Sequence, residues 1–364
     1  MSNSKNKIPG WVYRHLFLLL VYFLLALILT WPTITQLTTH LPGDGGDDPA
    51  IAWNLWWVKY ALLNERQNPF QTDFMFYPIG INLAFYTLTV LNAITALPLT
   101  LNFGVVTASN LHMLFTFIIG AYGTFLLVRY VLTLTTTDHN PQIAINDSSS
   151  SQSSAVSVLM WVSAALAGGF YAFASSKLFY VALGQFNIAS NHWVPLAVLY
   201  AVRTQHNPYR LKNSLMAGLF LTMQAWSEMT YASFVMVLIG LYWLYGLVIY
   251  LIHFIRNRRH SISPAVPSPG PQLRAAIVMI FTFAIGITPI LAQMLPDMLV
   301  EGDFLVEGSG FADAYSADLL GFFIPTMHHP LWGDLITRSN ITAFDKGQHI
   351  LREYHGNSGS NDRL

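Results

Sequence analysis

The sequence predicts an all-α polytopic membrane protein, a bundle of about seven transmembrane helices carrying one long external loop. Three observations lead there. Of 364 residues, 53% are hydrophobic and only 10% are charged, whereas a soluble domain carries about a quarter charged residues. Seven segments approach the roughly 20 mostly apolar residues that a spanning helix needs. The charges sum to zero but segregate by sign along the chain, and no basic patch points to nucleic acid. With no cysteine, disulfides, thiolate metal sites and cysteine nucleophiles are excluded.

The first span, residues 14–32, follows Lys5, Lys7 and Arg14, and no small-residue cleavage site follows it. It reads as an uncleaved anchor rather than a signal peptide. The further spans are 107–131, 155–175, 190–203 with its flanks, 211–227, 229–254 and 275–295. An eighth apolar stretch, Leu83 to Phe103, is interrupted by Asn92, Pro98 and Asn102. If it does not cross, the N-terminus, 132–154, 204–210 and 255–274 share one side. That side and its span ends then hold Lys5, Lys7, Arg14, Arg129, Arg203, Arg210, Lys212, Arg256, Arg258, Arg259 and Arg274, against only Asp138 and Asp147. Basic residues mark the cytoplasmic side. The chain is thus expected in the cytoplasmic (inner) membrane with its N-terminus inside. Residues 83–103 then form a re-entrant or surface-lying hairpin within an external loop, 33 to about 106.

That loop organises the rest. Residues 41–64 begin with Gly-rich LPGDGGDD, carrying Asp44, Asp47 and Asp48, and continue as an aromatic segment with Trp53, Trp56, Trp57 and Tyr60. Asp48-Pro49 reads as a helix start, with Asp as N-cap and Pro at the first helical position. The four rings then fall on one face at i, i+3, i+4 and i+7, as an interfacial helix requires. Residues 132–154 are a Ser/Thr-rich cytoplasmic linker. Residues 296–364 are an acidic external segment without a further span. The described plan is one membrane module, 1–295, with that loop or tail after it.

Crowded carboxylates suit a general base that deprotonates an acceptor hydroxyl, or oxygen ligands for a hard divalent cation. Asp47 is the candidate base and Asp48 its alternate, although Asp48 equally suits a helix cap. Asp44 is placed with the substrate-binding residues. Glu228 stands between two apolar spans, where an acid is functional by default. Gln185 and Asn187, in the loop Ser175 to Asn191, suit a sugar, a phosphate or the loop backbone. Lys177 and Arg338 can offset external phosphate charge. No nucleotide loop, dinucleotide fingerprint, metalloprotease helix or serine elbow occurs.

The strings GDDPAIAWNLWWVKYALL, NPFQTDFMFYPIGINLAF and GQFNIASNHWVPL, with a span before the acidic loop and a bundle after it, resemble the GT-C superfamily. Its members are polyprenyl-phosphate-dependent glycosyltransferases. The resemblance implies inverting transfer of a sugar from a polyprenyl-phosphate-linked donor to an acceptor hydroxyl on the extracytoplasmic face. The superfamily's first-loop acid falls on Asp47, with Asp48 as alternate. Its oligosaccharyltransferase branch brings acidic metal ligands in the second external loop. Here that loop offers Gln185 and Asn187 instead, so the resemblance implies no cofactor and a metal-independent branch. Members commonly have more spans, which makes the chain either a minimal module or a truncated, inactive member. Outside the superfamily, the composition also fits a lipid or solute transporter or an assembly subunit.

Overall fold

The structure is a computed structural model that describes residues 9–139, 151–259, 269–301 and 331–338. It is almost wholly helical, and five of its helices are long and apolar enough to cross a membrane. The chain divides into two units, 1–296 and 297–364. In the first, α1 (Gly10–Leu29) leads through a 3₁₀ turn, Thr33–Gln36, to the acidic loop and α2 (Asp48–Tyr60). A short antiparallel pair, β1 (Gln71–Thr72) with β2 (Ile81–Asn82), follows. Then come α3 (Val90–His139), α4 (Ser151–Ala172), α5 (Ser175–Ala182), α6 (Val194–His206), α7 (Leu211–Ser227) and α8 (Met229–Arg259). The last long helix, α9 (Gly270–Glu301), runs past the boundary between the units. In the second unit, α10 is the short helix Gly333–Arg338.

Residues 90–139 are not one straight helix. Gly104 lies at φ 79°, ψ 173°, a backbone open to glycine and closed to most side chains. Thr95 Oγ1 lies 2.6 Å from His112 Nε2, although 17 residues of straight helix would separate them by roughly 25 Å. The chain therefore folds back at Gly104, and the arm 90–103 lies along the start of the arm 105–139. At 1.5 Å per residue the first arm is about 21 Å long, short of the ~30 Å apolar thickness of a bilayer.

Two cores result. Leu18, Tyr22 and Ala26 of α1 pack with Met113, Phe117, Ala121 and Phe125 of α3 and Ala164 of α4. Ala197 and Ala201 of α6 pack with Ala217 and Leu221 of α7, Val235 of α8 and Met279 and Ile287 of α9. Small residues at these contacts let helix backbones approach, which is what holds helices together where lipid is as apolar as the side chains. The expected spans at 190–203 and 211–227 appear as α6 and α7, of 13 and 17 residues. At about 20 and 26 Å, neither reaches the bilayer thickness by its own length.

The aromatic face of α2 also differs from expectation. Leu55 and Val58 pack on Ala93 and Ala96 of α3, while the ring-bearing side is covered by the chain that follows. Trp57 is fully buried among Ala61 and Leu83, and its indole N–H donates to the Pro69 carbonyl at 2.8 Å. Phe74 stands edge-on to Trp56 and Tyr60, at 5.7 and 5.8 Å between centroids. Sequence spacing places the rings on one face correctly; it does not show that residues 69–86 close over them.

Candidate functional site

Two polar regions meet at the segment between α5 and α6. The first is the acidic loop. Pro42 and the glycines around Asp44 keep residues 40–47 out of helix, and Asn110 of α3 fixes their entry. Its amide donates to the carbonyls of Leu37 and His40, at 2.9 and 2.8 Å. Asp44 Oδ1 accepts from the Gly46 N–H at 3.0 Å, and Asp48 Oδ1 accepts from the Gly45 N–H at 2.9 Å. Two of the three carboxylates thus tie the loop to itself. Asp48 is the first residue of α2, with Asp47 ahead of it and no side-chain cap bond. The expected cap is displaced by one residue, because the Asp48 carboxylate turns back to Gly45.

Asp47 is the carboxylate that reaches outward. It is exposed, and its Oδ2 accepts from Gln185 Nε2 at 2.6 Å. Charge-assisted bonds of this length are among the stronger ones. Gly184 makes the approach possible. Its φ is +74°, and a Cβ there would collide with Cβ of Asp48 and lie 3.0 Å from the Pro42 carbonyl. Tyr86 completes the surroundings, its phenol held above the usual range by burial first and by the Asp47 carboxylate second.

Two adjoining cavities lie in this region, the smaller one next to the contact. The smaller, about 20 Å³, is lined by Asp48, Ser109, Asn110 and Gly184 among others. The larger, about 250 Å³, runs from Leu29–Thr33 at the end of α1, past Gln36 and His40, to Leu178, Val181 and Ala182 of α5. They share Leu41, Pro42 and Val181. Asp47 and Gln185 are the chain neighbours of Asp48 and Gly184, which wall the smaller one.

The second region is interior. Lys177 is 3% exposed; its Nζ donates to Asn191 Oδ1 at 3.2 Å and sits 4.8 Å from the centre of the Phe117 ring. Buried His192 stands edge-on to His112 at 6.2 Å. Asn92 Nδ2 donates to Ser190 Oγ at 2.9 Å, and Gln224 Nε2 donates to the Ser190 carbonyl at 2.8 Å. Oδ1 of Asn92, Oε1 of Gln224 and Nδ1 of both histidines have no hydrogen-bond partner among the described residues.

The predicted site residues are therefore divided. Asp44, Asp47, Asp48 and Gln185 come together. Lys177 turns inward, away from the cavity that its neighbour Leu178 lines, so it does not face an external phosphate. Asn187 is buried, with its carbonyl closing a turn to the Ser190 N–H at 3.0 Å. Glu228 Oε1 accepts from the Thr230 N–H at 3.2 Å at the start of α8, a helix-capping contact. Arg338 ends α10 in the second unit, and its side chain is outside the described residues. Among the described residues no group of three or more His, Asp or Glu is placed to hold a metal ion. His40, Asn110 and Tyr86 were not singled out by sequence. His40 has a signal in its place in the turn-rich stretch before Asp44, and Asn110 in being an amide within an apolar span; Tyr86 has none. Compared with family models, characterised proteins and solved structures, the chain matches none.

Proposed function

We propose that this chain is an integral-membrane glycosyltransferase of GT-C type, moving a sugar from a polyprenyl-phosphate-linked donor to an acceptor hydroxyl on the extracytoplasmic face of the cytoplasmic membrane. The observation that carries the proposal is the Asp47–Gln185 contact, whose chain neighbours Asp48 and Gly184 wall a small cavity that shares Leu41, Pro42 and Val181 with one of about 250 Å³ at the end of an apolar helix. That volume lies just under the usual range for small-molecule sites, which suits a single sugar or phosphate headgroup with its lipid tail left outside. Asp47 accepts the proton of the acceptor hydroxyl as the oxygen bonds to the anomeric carbon. The bond from that carbon to the phosphate oxygen breaks, the phosphate leaves with the electron pair, and the centre inverts. Gln185 orients the carboxylate. Gln36, His40 and Thr33 line the larger cavity and take the phosphate-facing role expected of Lys177, whose side chain is turned inward.

The interior group around Lys177 favours a second reading, a non-enzymatic transporter or assembly subunit, because buried polar side chains also mark transport paths. Turnover separates the two. Purified protein in liposomes, offered a panel of radiolabelled polyprenyl-phosphate sugars together with a panel of hydroxyl acceptors, is expected to release polyprenyl phosphate as the label moves to an acceptor. Asp47→Asn is expected to lower the rate by ~10²-fold or more without changing the melting temperature. Release that survives the substitution, or wild-type protein inert towards the whole panel, sinks the transferase reading.

A further inference from the structure

The β1–β2 pair carries a tip that the site does not use. Phe76, Tyr77 and Ile79 are 70%, 81% and 90% exposed, and Phe74 beside them is 56% exposed. Exposed apolar groups clustered on a turn mark a contact surface. Phe76 holds a φ of +56°, a conformation uncommon for a bulky residue and costly unless something fixes it. From residue 67 to residue 89 the only charged side chain is Asp73, far below the quarter expected in water-facing chain.

The base of this hairpin is tied to a defined depth. Asn68 Nδ2 donates to Gln293 Oε1 at 2.8 Å, and Asn82 Nδ2 donates to the Gln293 carbonyl at 2.7 Å. Gln293 lies about 27 Å along α9 from Ala275, the first residue after Arg274, at the helical rise, close to the far edge of the ~30 Å apolar thickness of a bilayer. Its neighbours Leu291 and Leu295 are exposed, so the apolar surface of α9 continues to the level where the hairpin is fastened. Phenylalanine, tyrosine and isoleucine at that level are what the boundary between headgroups and acyl chains favours.

We infer that residues 74–79 are a membrane-inserted wedge, seated in the headgroup layer beside the outer end of α9. Its occupant is lipid. The hairpin also covers Trp56 and Trp57 of α2, so the wedge sets the height of that helix, and of the acidic loop at its start, above the bilayer. This holds whether or not the chain transfers sugars.

The absence of cysteine makes the test direct. Tyr77→Cys, Ile79→Cys and, as the aqueous control, Asp44→Cys are each labelled with an environment-sensitive nitrobenzoxadiazole dye. The protein is placed in phosphatidylcholine/phosphatidylglycerol nanodiscs, with or without lipids bearing a nitroxide at acyl carbon 5. Both tip sites are highly exposed, so the label displaces no packed side chain. The expected result is blue-shifted emission at 77 and 79, quenched at least twofold by the nitroxide lipid, with little quenching at 44. Equal quenching of all three by aqueous iodide, without a nitroxide effect, overturns the inference. So does blue-shifted emission at 77 and 79 that the nitroxide leaves unchanged, since the tip is then covered by protein, either a second copy or another part of this chain.

Discussion

The acidic loop and the interior polar group both contact the stretch Gln185 to His192 and obey opposite rules. Gln185 reaches outward to Asp47, and five to seven residues later Ser190, Asn191 and His192 reach inward to Asn92, Lys177 and His112. Outside, carboxylates stand in solvent, where their charge costs little. Inside, no carboxylate of the described residues enters the group; it is made of amides, hydroxyls, imidazoles and one amine. Removing an ion from water without a partner costs several kcal/mol, so ionised acids collect where water remains. The outer region keeps exposed charge within reach of solvent, whereas the inner one ties α3, α5 and α7 to the segment between α5 and α6 through polar contacts.

Substitutions sharpen this contrast in order of effect. Gly184→Val strikes the point where the two regions are joined, combining a left-handed backbone with a collision at Asp48. It is expected to cost ~3 kcal/mol, read as a lowered melting temperature with loss of any turnover; wild-type stability would mean the loops are not tightly apposed. Lys177→Met probes the interior. Replacing a buried amine whose partners are one amide oxygen and a ring face, with no carboxylate among them, by an apolar side chain of similar length is expected to change stability by less than ~1 kcal/mol or to raise it. A loss of more than ~2 kcal/mol in chemical denaturation would show that the ammonium itself holds the group together.

The smallest effect is electrostatic. Asp47→Asn removes the second of the two causes that raise the Tyr86 phenol, so the tyrosinate onset of that residue moves down while burial still holds it above its ordinary value. A raised phenol contributes stability that is fully present below the unfolded value near 10 and is lost as pH rises through the folded one. Ultraviolet difference titration of Asp47→Asn, with Tyr86→Phe as reference, checks this. An unmoved titration places Asp47 and Tyr86 too far apart to share a site.

Much of this molecule is legible in its sequence. Hydropathy finds α1, α4, α8 and α9, because each is a long run with few charges. The interruptions in 83–103 signal a segment that does not run straight on, and Gly104 is where the chain turns. The pairing of Asp47 with the segment between α5 and α6 is legible only as two polar loops expected on one side; that Gly184 brings them into contact depends on a backbone angle. Lys177 shows why the rest stays hidden. In SSKLFYVA the residue looks like the water-facing exception in an apolar segment, yet its side chain is the inward one and Phe179 is 59% exposed. Where both lipid and core are apolar, hydrophobic periodicity no longer tells inside from outside. The aromatic face of α2 misleads for a related reason, since tryptophans serve a headgroup layer and a covering loop equally well.

The most direct measurement is photocrosslinking of a diazirine-bearing polyprenyl phosphate to the intact protein in nanodiscs, with adducts mapped by mass spectrometry. Adducts at residues 29–42 and 178–182 that unlabelled polyprenyl phosphate competes away are the predicted result, placing the lipid carrier in the larger cavity. Adducts spread over the lipid-facing surfaces of α8 and α9, unaffected by competitor, would contradict a donor site there.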